Sequence, residues 1–264
     1  PSVRRFLIDS LANRVWISSI VNLYWIQNNI VKELPFLQSP SPGYPKNVHK
    51  SRFGGYWMAT TRGLVKFEND RIEYESYIKK DFIGLIYDLV EDFNGDVWFC
   101  TINGLWNYSK GVYKYHGTEN PLFGQTTYSL AQSPIDSSLW IGSNGAGIIV
   151  KKNGKIFQIT KENGLISNSV SQLYYANNNM WVATRQGLSQ IIIDKENYSI
   201  RNFTTANGLP TNEVTSVCEY KGDVYVGTPK GLSIFNKKTI SQNVNPPKVI
   251  ISRFRVYNNQ IDLL

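Results

Sequence analysis

A repeated aromatic, its near-constant spacing and a recurrent Thr-x-x-Gly turn predict an all-β fold, a β-propeller of four-stranded antiparallel blades. The aromatic falls at Trp16, Trp57, Trp98, Trp140, Trp181 and Tyr225, in steps of 41, 41, 42, 41 and 44 residues. A period of roughly 40–45 residues made of short β-like runs is that of a propeller blade. No helical periodicity of apolar residues runs through the segments. Clear copies read GGYWMATTRGLVKF (54–67), GDVWFCTINGLWNY (95–108), SSLWIGSNGAGIIV (137–150), NNMWVATRQGLSQI (178–191) and GDVYVGTPKGLSIF (222–235), and NRVWISSIVNLYWI (13–26) is a diverged first copy.

Each unit divides into four strands. In the third, GLIYDLVED (84–92), DVWFCT (96–101), GLWNYS (104–109) and VYKYH (112–116) are separated by Asn94-Gly95, Asn103-Gly104 and Lys110-Gly111, which are turn signals. The fourth unit repeats the plan, with Gly145, Gly147 and Gly154 in its turns, and SVRRFLIDS at the start of the chain aligns with a first strand. Six blades' worth of sequence therefore occupies residues 1–244. The segment KKTISQNVNPP (237–247) is weak strand material, since Pro246 and Pro247 cannot donate to a ladder. The sixth blade is expected to be incomplete or finished by the tail.

The repeated aromatic has a physical reason. A four-stranded sheet cannot bury both faces by itself, and a large flat ring fills the wedge between stacked blades, removing roughly 150–250 Å² from water. The six repeat aromatics are thus read as structural, not as ligand platforms. The small residue two positions on (Ala59, Cys100, Gly142, Ala183, Gly227) suits a crowded strand near the axis. Trp25 and Trp106 fall on third strands and could face either neighbour.

Composition narrows the function classes. Hydrophobic content of 42% and charged content of 18% suit a soluble globular chain, and no apolar run approaches the length of a membrane span. The net charge of +8 is carried by scattered residues and short pairs such as Lys151-Lys152, so no nucleic-acid partner is expected. Cys100 and Cys218 lie in strand-like runs and read as small hydrophobes. His49 and His116 are far apart without a Cys or carboxylate cluster, so neither a metal site nor a cofactor is expected. Starting at Pro1 without a leader, the chain reads as a processed product or an excised piece.

The pattern W-[IVFM]-[GAC]-[TS]-x-x-G-[LA], joined by T-x-x-N-G-L-x-x-N-x-V at 160–170 and 204–214, resembles the two-component regulator propeller repeat. The resemblance spans roughly residues 2–260 and is strongest over units two to six. Unit one departs from it, with Ser19 and Val21 where the Thr-x-x-Gly turn is expected. Such repeats occur in extracytoplasmic sensor regions of Bacteroides-type hybrid two-component histidine kinases. The resemblance implies a seven-bladed ring of which this chain supplies six blades, and an immunoglobulin-like domain beginning at 245–264. It also implies a periplasmic location, a homodimeric receptor and signalling to the rest of the receptor chain.

Fold alone does not settle function. Carboxylates that could serve a glycosidase (Asp88, Glu91, Asp92, Glu219, Asp223) show no distinctive spacing, and sialidase boxes, P-loops and nucleophile elbows are missing from the sequence. The reading is a sensor that recognises an oligosaccharide or other small ligand without chemistry, and this fragment is not expected to be an enzyme. A protein-interaction scaffold and a propeller lyase or other glycan-active enzyme are the alternatives. In an antiparallel meander the turns joining strands two and three share a disc face with the linkers between blades. That face carries Arg62, Asn103, Asn144, Arg185, Gln186 and Lys230 from the turns. Lys80, Asp81, Phe123, Gln125, Lys161 and Asn207 come from the linkers. Hydrogen-bonding groups beside an aromatic suit a sugar, and arginines suit carboxylate or sulfate.

Overall fold

The structure, a computed structural model, describes residues 3–19, 22–34, 43–69, 71–77, 85–194, 197–237, 253–256 and 259–262. Blade one comprises β1 (Val3–Asp9), β2 (Arg14–Ser19), β3 (Leu23–Gln27) and β4 (Ile30–Leu34). Blade two comprises β5 (Pro45–Lys50), β6 (Tyr56–Thr60), β7 (Gly63–Glu68) and β8 (Arg71–Tyr77). In blade three β9 (Ile86–Glu91), β10 (Val97–Thr101), β11 (Gly104–Ser109) and β12 (Val112–Tyr115) follow. Blade four holds β13 (Thr127–Gln132), β14 (Leu139–Ser143), β15 (Ile148–Lys152) and β16 (Lys155–Ile159). Blade five holds β17 (Val170–Ala176), β18 (Asn179–Thr184), β19 (Gly187–Asp194) and β20 (Asn197–Phe203). Blade six has three described strands, β21 (Ser216–Tyr220), β22 (Asp223–Thr228) and β23 (Gly231–Asn236).

Every blade is an antiparallel meander in which strands adjacent in sequence pair. The six-bladed propeller is the expected fold. Helical segments among the described residues are confined to short 3-10 turns at Pro121–Gly124, Lys161–Asn163 and Thr205–Asn207. The expected immunoglobulin-like start falls largely outside the described residues. Within it, β24 (Arg253–Val256) and β25 (Asn259–Asp262) form an antiparallel pair.

Five apolar clusters fill the five junctions between successive blades, and each is built around the second-strand tryptophan of the earlier blade. Trp16, Trp57, Trp98, Trp140 and Trp181 are at most 8% exposed. Because both sheet faces meet a neighbour, β6, β10, β14 and β18 are buried at every position. Strand β22 instead alternates, and the outer face of blade six leaves Leu232 and Ile234 more than half exposed. Tyr225, the sixth repeat aromatic, lies on that face and is only half-buried.

The small residue of each second strand is explained by close approach. A Cβ on Gly142 would lie 2.7 Å from Cγ1 of Val170 in the next blade. The third-strand tryptophans face opposite ways. Trp25 turns forward to the blade-two junction, 5.3 Å from Trp16 between ring centroids, whereas Trp106 packs back against the blade-two/three cluster.

Two of the repeat indoles are tied across their junctions to carboxylates, whereas Trp98 and Trp140 bond Asp92 and Ser138 of their own blades. Trp57 Nε1 donates to Glu91 at 2.8 Å and Trp181 Nε1 to Glu219 at 3.0 Å, the carboxylates lying at the last and last-but-one positions of the next blade's first strand. Burial pushes the Glu219 carboxyl up, but hydrogen bonds from Lys237, Asn177 and Trp181 outweigh it and hold it below the usual range. At the blade-one/two junction the polarity reverses. Lys50 occupies the corresponding register position and, with Tyr56, donates back to Asp9, while no carboxylate among the described residues accepts from Trp16 Nε1.

Candidate functional site

The Thr-x-x-Gly signature is a side-chain-closed turn. Thr101 Oγ1 donates to the Gly104 carbonyl at 2.8 Å and accepts from Asn103 N–H, and Thr60, Thr184 and Thr228 repeat both bonds with their own turns. In unit one, Ser19 Oγ bonds Asn22 in the same way, so this diverged copy keeps the turn chemistry. The hydroxyl points inward and the two central residues point out. Arg62, Asn103, Asn144, Arg185, Gln186 and Lys230 are accordingly all exposed.

The linkers lie against these turns. In each Asn-Gly-Leu linker the asparagine caps a 3-10 turn, Asn163 Oδ1 accepting from Thr160 N–H and Asn207 Oδ1 from Thr204 N–H, both at 2.9 Å. Gly164 and Gly208 then take φ of 102° and 94°, which favours glycine. The following Leu165 and Leu209 are buried between blades. Phe123 departs from the expected role. The Pro121–Gly124 turn carries its ring inward, where it is 2% exposed and lies 6.2 Å from His116. It replaces the linker leucine at the blade-three/four junction and offers no platform on the disc face.

The first strands of blades one to five each contain a register slip at their outset. The extra residue is Tyr87 in blade three, Tyr128 in blade four and Ser171 in blade five. A bulge re-aims a side chain that regular alternation would bury. Here it turns three successive residues toward the turn-bearing face, where they line a pocket of about 420 Å³ with Asn144, Ser169, Val170 and Arg185. The rings of Tyr87 and Tyr128 meet edge to face, 5.0 Å between centroids. Burial, then the neighbouring Tyr128, pushes the Tyr87 hydroxyl pKa up. Ser169 Oγ donates to Asn144 Oδ1 at 3.0 Å, which orients that amide.

A belt of hydrogen bonds fixes the first strands one residue beyond the bulges. Asp88 accepts from Asn47 Nδ2 at 2.5 Å, Ser129 Oγ at 2.9 Å and Leu130 N–H at 3.0 Å. Ser129 Oγ accepts in turn from Leu173 N–H at 3.0 Å, and Gln172 Oε1 from Val217 N–H at 2.8 Å. Side chains of consecutive blades thus reach the backbone of their successors around a central cavity of about 800 Å³. The pocket therefore rests on a cross-tied base.

Two of the sequence-derived ligand residues, Asn144 and Arg185, line this pocket; Arg62, Asn103, Gln186 and Lys230 are exposed on corresponding turns but do not line it. Lys80 and Asp81 lie outside the described residues. Tyr87, Tyr128, Ser169 and Ser171 were not among the expected residues. The available signal was a tyrosine at the same place in two first strands, in GLIYDLVED and TTYSLAQS. The carboxylates weighed for glycosidase chemistry are engaged in structure: Asp88 in the belt, Glu91 and Glu219 on indoles, Asp92 on Trp98 Nε1 and Asp223 on Asn236. Among the described residues no group of three His, Cys, Asp or Glu could hold a metal ion.

No protein-family model matches the chain, and no curated protein does so. Solved structures do. The extracellular domain of BT3049 from B. thetaiotaomicron, assigned as a hybrid two-component system, superposes with a TM-score of 0.73 at 20% identity, over 89% of this chain and 34% of that one. The extracellular domain of BT4673 from the same bacterium gives 0.54 at 15% identity, over 90% and 40%. Virginiamycin B lyase from Staphylococcus aureus gives 0.65 at 15% identity, over 88% and 78%. The chain spans about a third to two-fifths of the two extracellular domains. At these identities the likeness shows the propeller fold, and the resemblance read from the sequence is met at that level.

Proposed function

We propose that this propeller is the ligand-sensing part of a hybrid two-component receptor, working outside the cytoplasmic membrane and binding an oligosaccharide without transforming it. The observation that carries the reading is the convergence of bulge residues Tyr87, Tyr128 and Ser171 with turn residues Asn144 and Arg185 in one pocket. Aromatic faces beside fixed polar groups suit a sugar ring, and a concave site on a rigid base suits binding. The structural likeness to extracellular domains of such systems supports the sensing role. Occupancy would bias a homodimeric receptor between two arrangements only through different affinities for them.

The test is calorimetric titration of the full extracytoplasmic region against neutral and acidic oligosaccharides, with the ligand recovered afterwards and analysed for conversion. Binding that is lost in a Tyr87→Ala, Tyr128→Ala double variant, with the ligand recovered intact, is expected. Binding untouched by that variant would remove this pocket as the site. A cleaved ligand would favour the enzyme reading, for which the likeness to the lyase is the support.

A further inference from the structure

We infer that the pocket at Tyr87, Tyr128 and Arg185 selects a sugar carrying an anionic group, a uronate carboxylate or a sulfate ester, and that Arg185 reads it; this rests on the oligosaccharide reading above. Three observations lead there. Among the described residues, Arg185 is the one charged side chain lining the pocket. It is exposed, and its guanidinium makes no hydrogen bond or ion pair among the described residues. Its five N–H donors are therefore free for a ligand, in the forked geometry that matches a carboxylate or sulfate.

The lining as a whole is also rich in donors. Asn144 uses its carbonyl oxygen on Ser169, which leaves its amide N–H groups for a ligand. The Tyr87, Tyr128 and Ser171 hydroxyls can each donate, whereas that of Ser169 is spent on Asn144, and among the described residues no carboxylate lines the pocket. The surrounding turns strengthen the sign, since Arg62 and Lys230 are exposed on the same set of turns and none of the six exposed turn residues is acidic. A neutral sugar can meet the guanidinium only with hydroxyl and ring oxygens, without an opposite charge. An anionic sugar meets it while its ring lies on the tyrosine pair.

The experiment uses matched probes titrated into the extracytoplasmic region: digalacturonate and its dimethyl ester, a glucuronate-containing disaccharide and its methyl ester, and galactobiose with and without a 6-sulfate. At least one acidic member should bind about tenfold or more tightly than its neutral partner, as for a hydrogen bond to a charged group. Raised salt should narrow that gap. Arg185→Gln should abolish it without moving the melting transition, whereas Arg62→Gln, on a turn outside the pocket, should leave it intact. Whether the uronates or the sulfate carry the gap identifies the anion. Neutral members binding as tightly as acidic ones, or a gap surviving Arg185→Gln, would overturn the inference while leaving the oligosaccharide reading standing. Silence from all probes would overturn both.

Discussion

Replacing Trp181 separates two contributions to the blade-five/six junction. The ring is 0% exposed and packs against Phe203 and Phe235, at 6.1 and 6.2 Å between centroids. Its Nε1 donates to Glu219 at 3.0 Å. Trp181→Ala removes the ring and leaves a cavity, at a cost of about 3–5 kcal/mol. Trp181→Phe keeps most of the apolar surface and loses the bond to a charged acceptor, at about 1.5–3 kcal/mol. For a chain of this length that converts to a fall in Tm of about 6–20 °C for the alanine variant and about 3–12 °C for phenylalanine.

Blades touch their immediate neighbours, so the damage should be local. Far-UV circular dichroism should show an early transition, and amide exchange should accelerate in β21, β22 and β23 before it does in blades two to four. If Trp181→Ala melts within about 1 kcal/mol of the parent, with exchange in blade six unchanged, the wedge role assigned to the repeated aromatic is wrong. A phenylalanine variant as stable as the parent would instead refute only the contribution of the Glu219 bond.

Further outcomes follow from single contacts. Thr101→Val strands the Gly104 carbonyl and Asn103 N–H of its turn and should lower stability by about 1–3 kcal/mol in urea titration. Gly104→Ala should destabilise by at least about 1–3 kcal/mol, because φ is 111° there and a Cβ would lie 2.1 Å from the Phe123 carbonyl oxygen. Arg62→Ala, on an exposed turn, should remain within about 0.5 kcal/mol of the parent. Burial pushes the Asp9 carboxyl up, but bonds from Lys50, Tyr56 and Ala12 N–H hold it at about 2. Its folded value is depressed, so its contribution is complete above the unfolded value of about 4 and is lost as pH falls towards about 2. Urea midpoints across that window should fall more steeply for the parent than for Asp9→Asn, and equal slopes would refute the assignment.

The repeat was legible because its chemistry is local. Thr101, Asn103 and Gly104 close a turn within four residues, and Thr160, Asn163 and Gly164 close another within five in a linker, so spacing alone exposes them. Contacts between blades were not legible. Trp57 and Glu91 lie 34 residues apart and Trp181 and Glu219 lie 38 apart, and only stacking brings each pair together. Phe123 misled because an aromatic in a polar linker looks like a platform, while its register places it where Leu165 and Leu209 turn inward. Tyr87 and Tyr128 were missed for a different reason. One extra residue in a strand reverses which face every later side chain meets, and nothing in GLIYDLVED or TTYSLAQS marks where the extra residue is.

That same slip explains how a monotonous scaffold can hold a particular site. The residue one place beyond each bulge, Asp88, Ser129 or Gln172, ties its blade to the next, so it is constrained by the ring. The bulged side chain turns to the open mouth, where Tyr87 and Tyr128 also meet each other across the blade-three/four junction. Blade two carries Lys46 there, whereas blades three to five carry Tyr87, Tyr128 and Ser171. The exposed turn side chains are not what closes the turns, because a threonine or serine hydroxyl does so in each. Two rows of positions outside the tryptophan wedges therefore meet at the mouth, one from the bulges and one from the turns. Recognition can change along those rows with the tryptophan wedges untouched, so ligand specificity and blade stability should be separable by mutation.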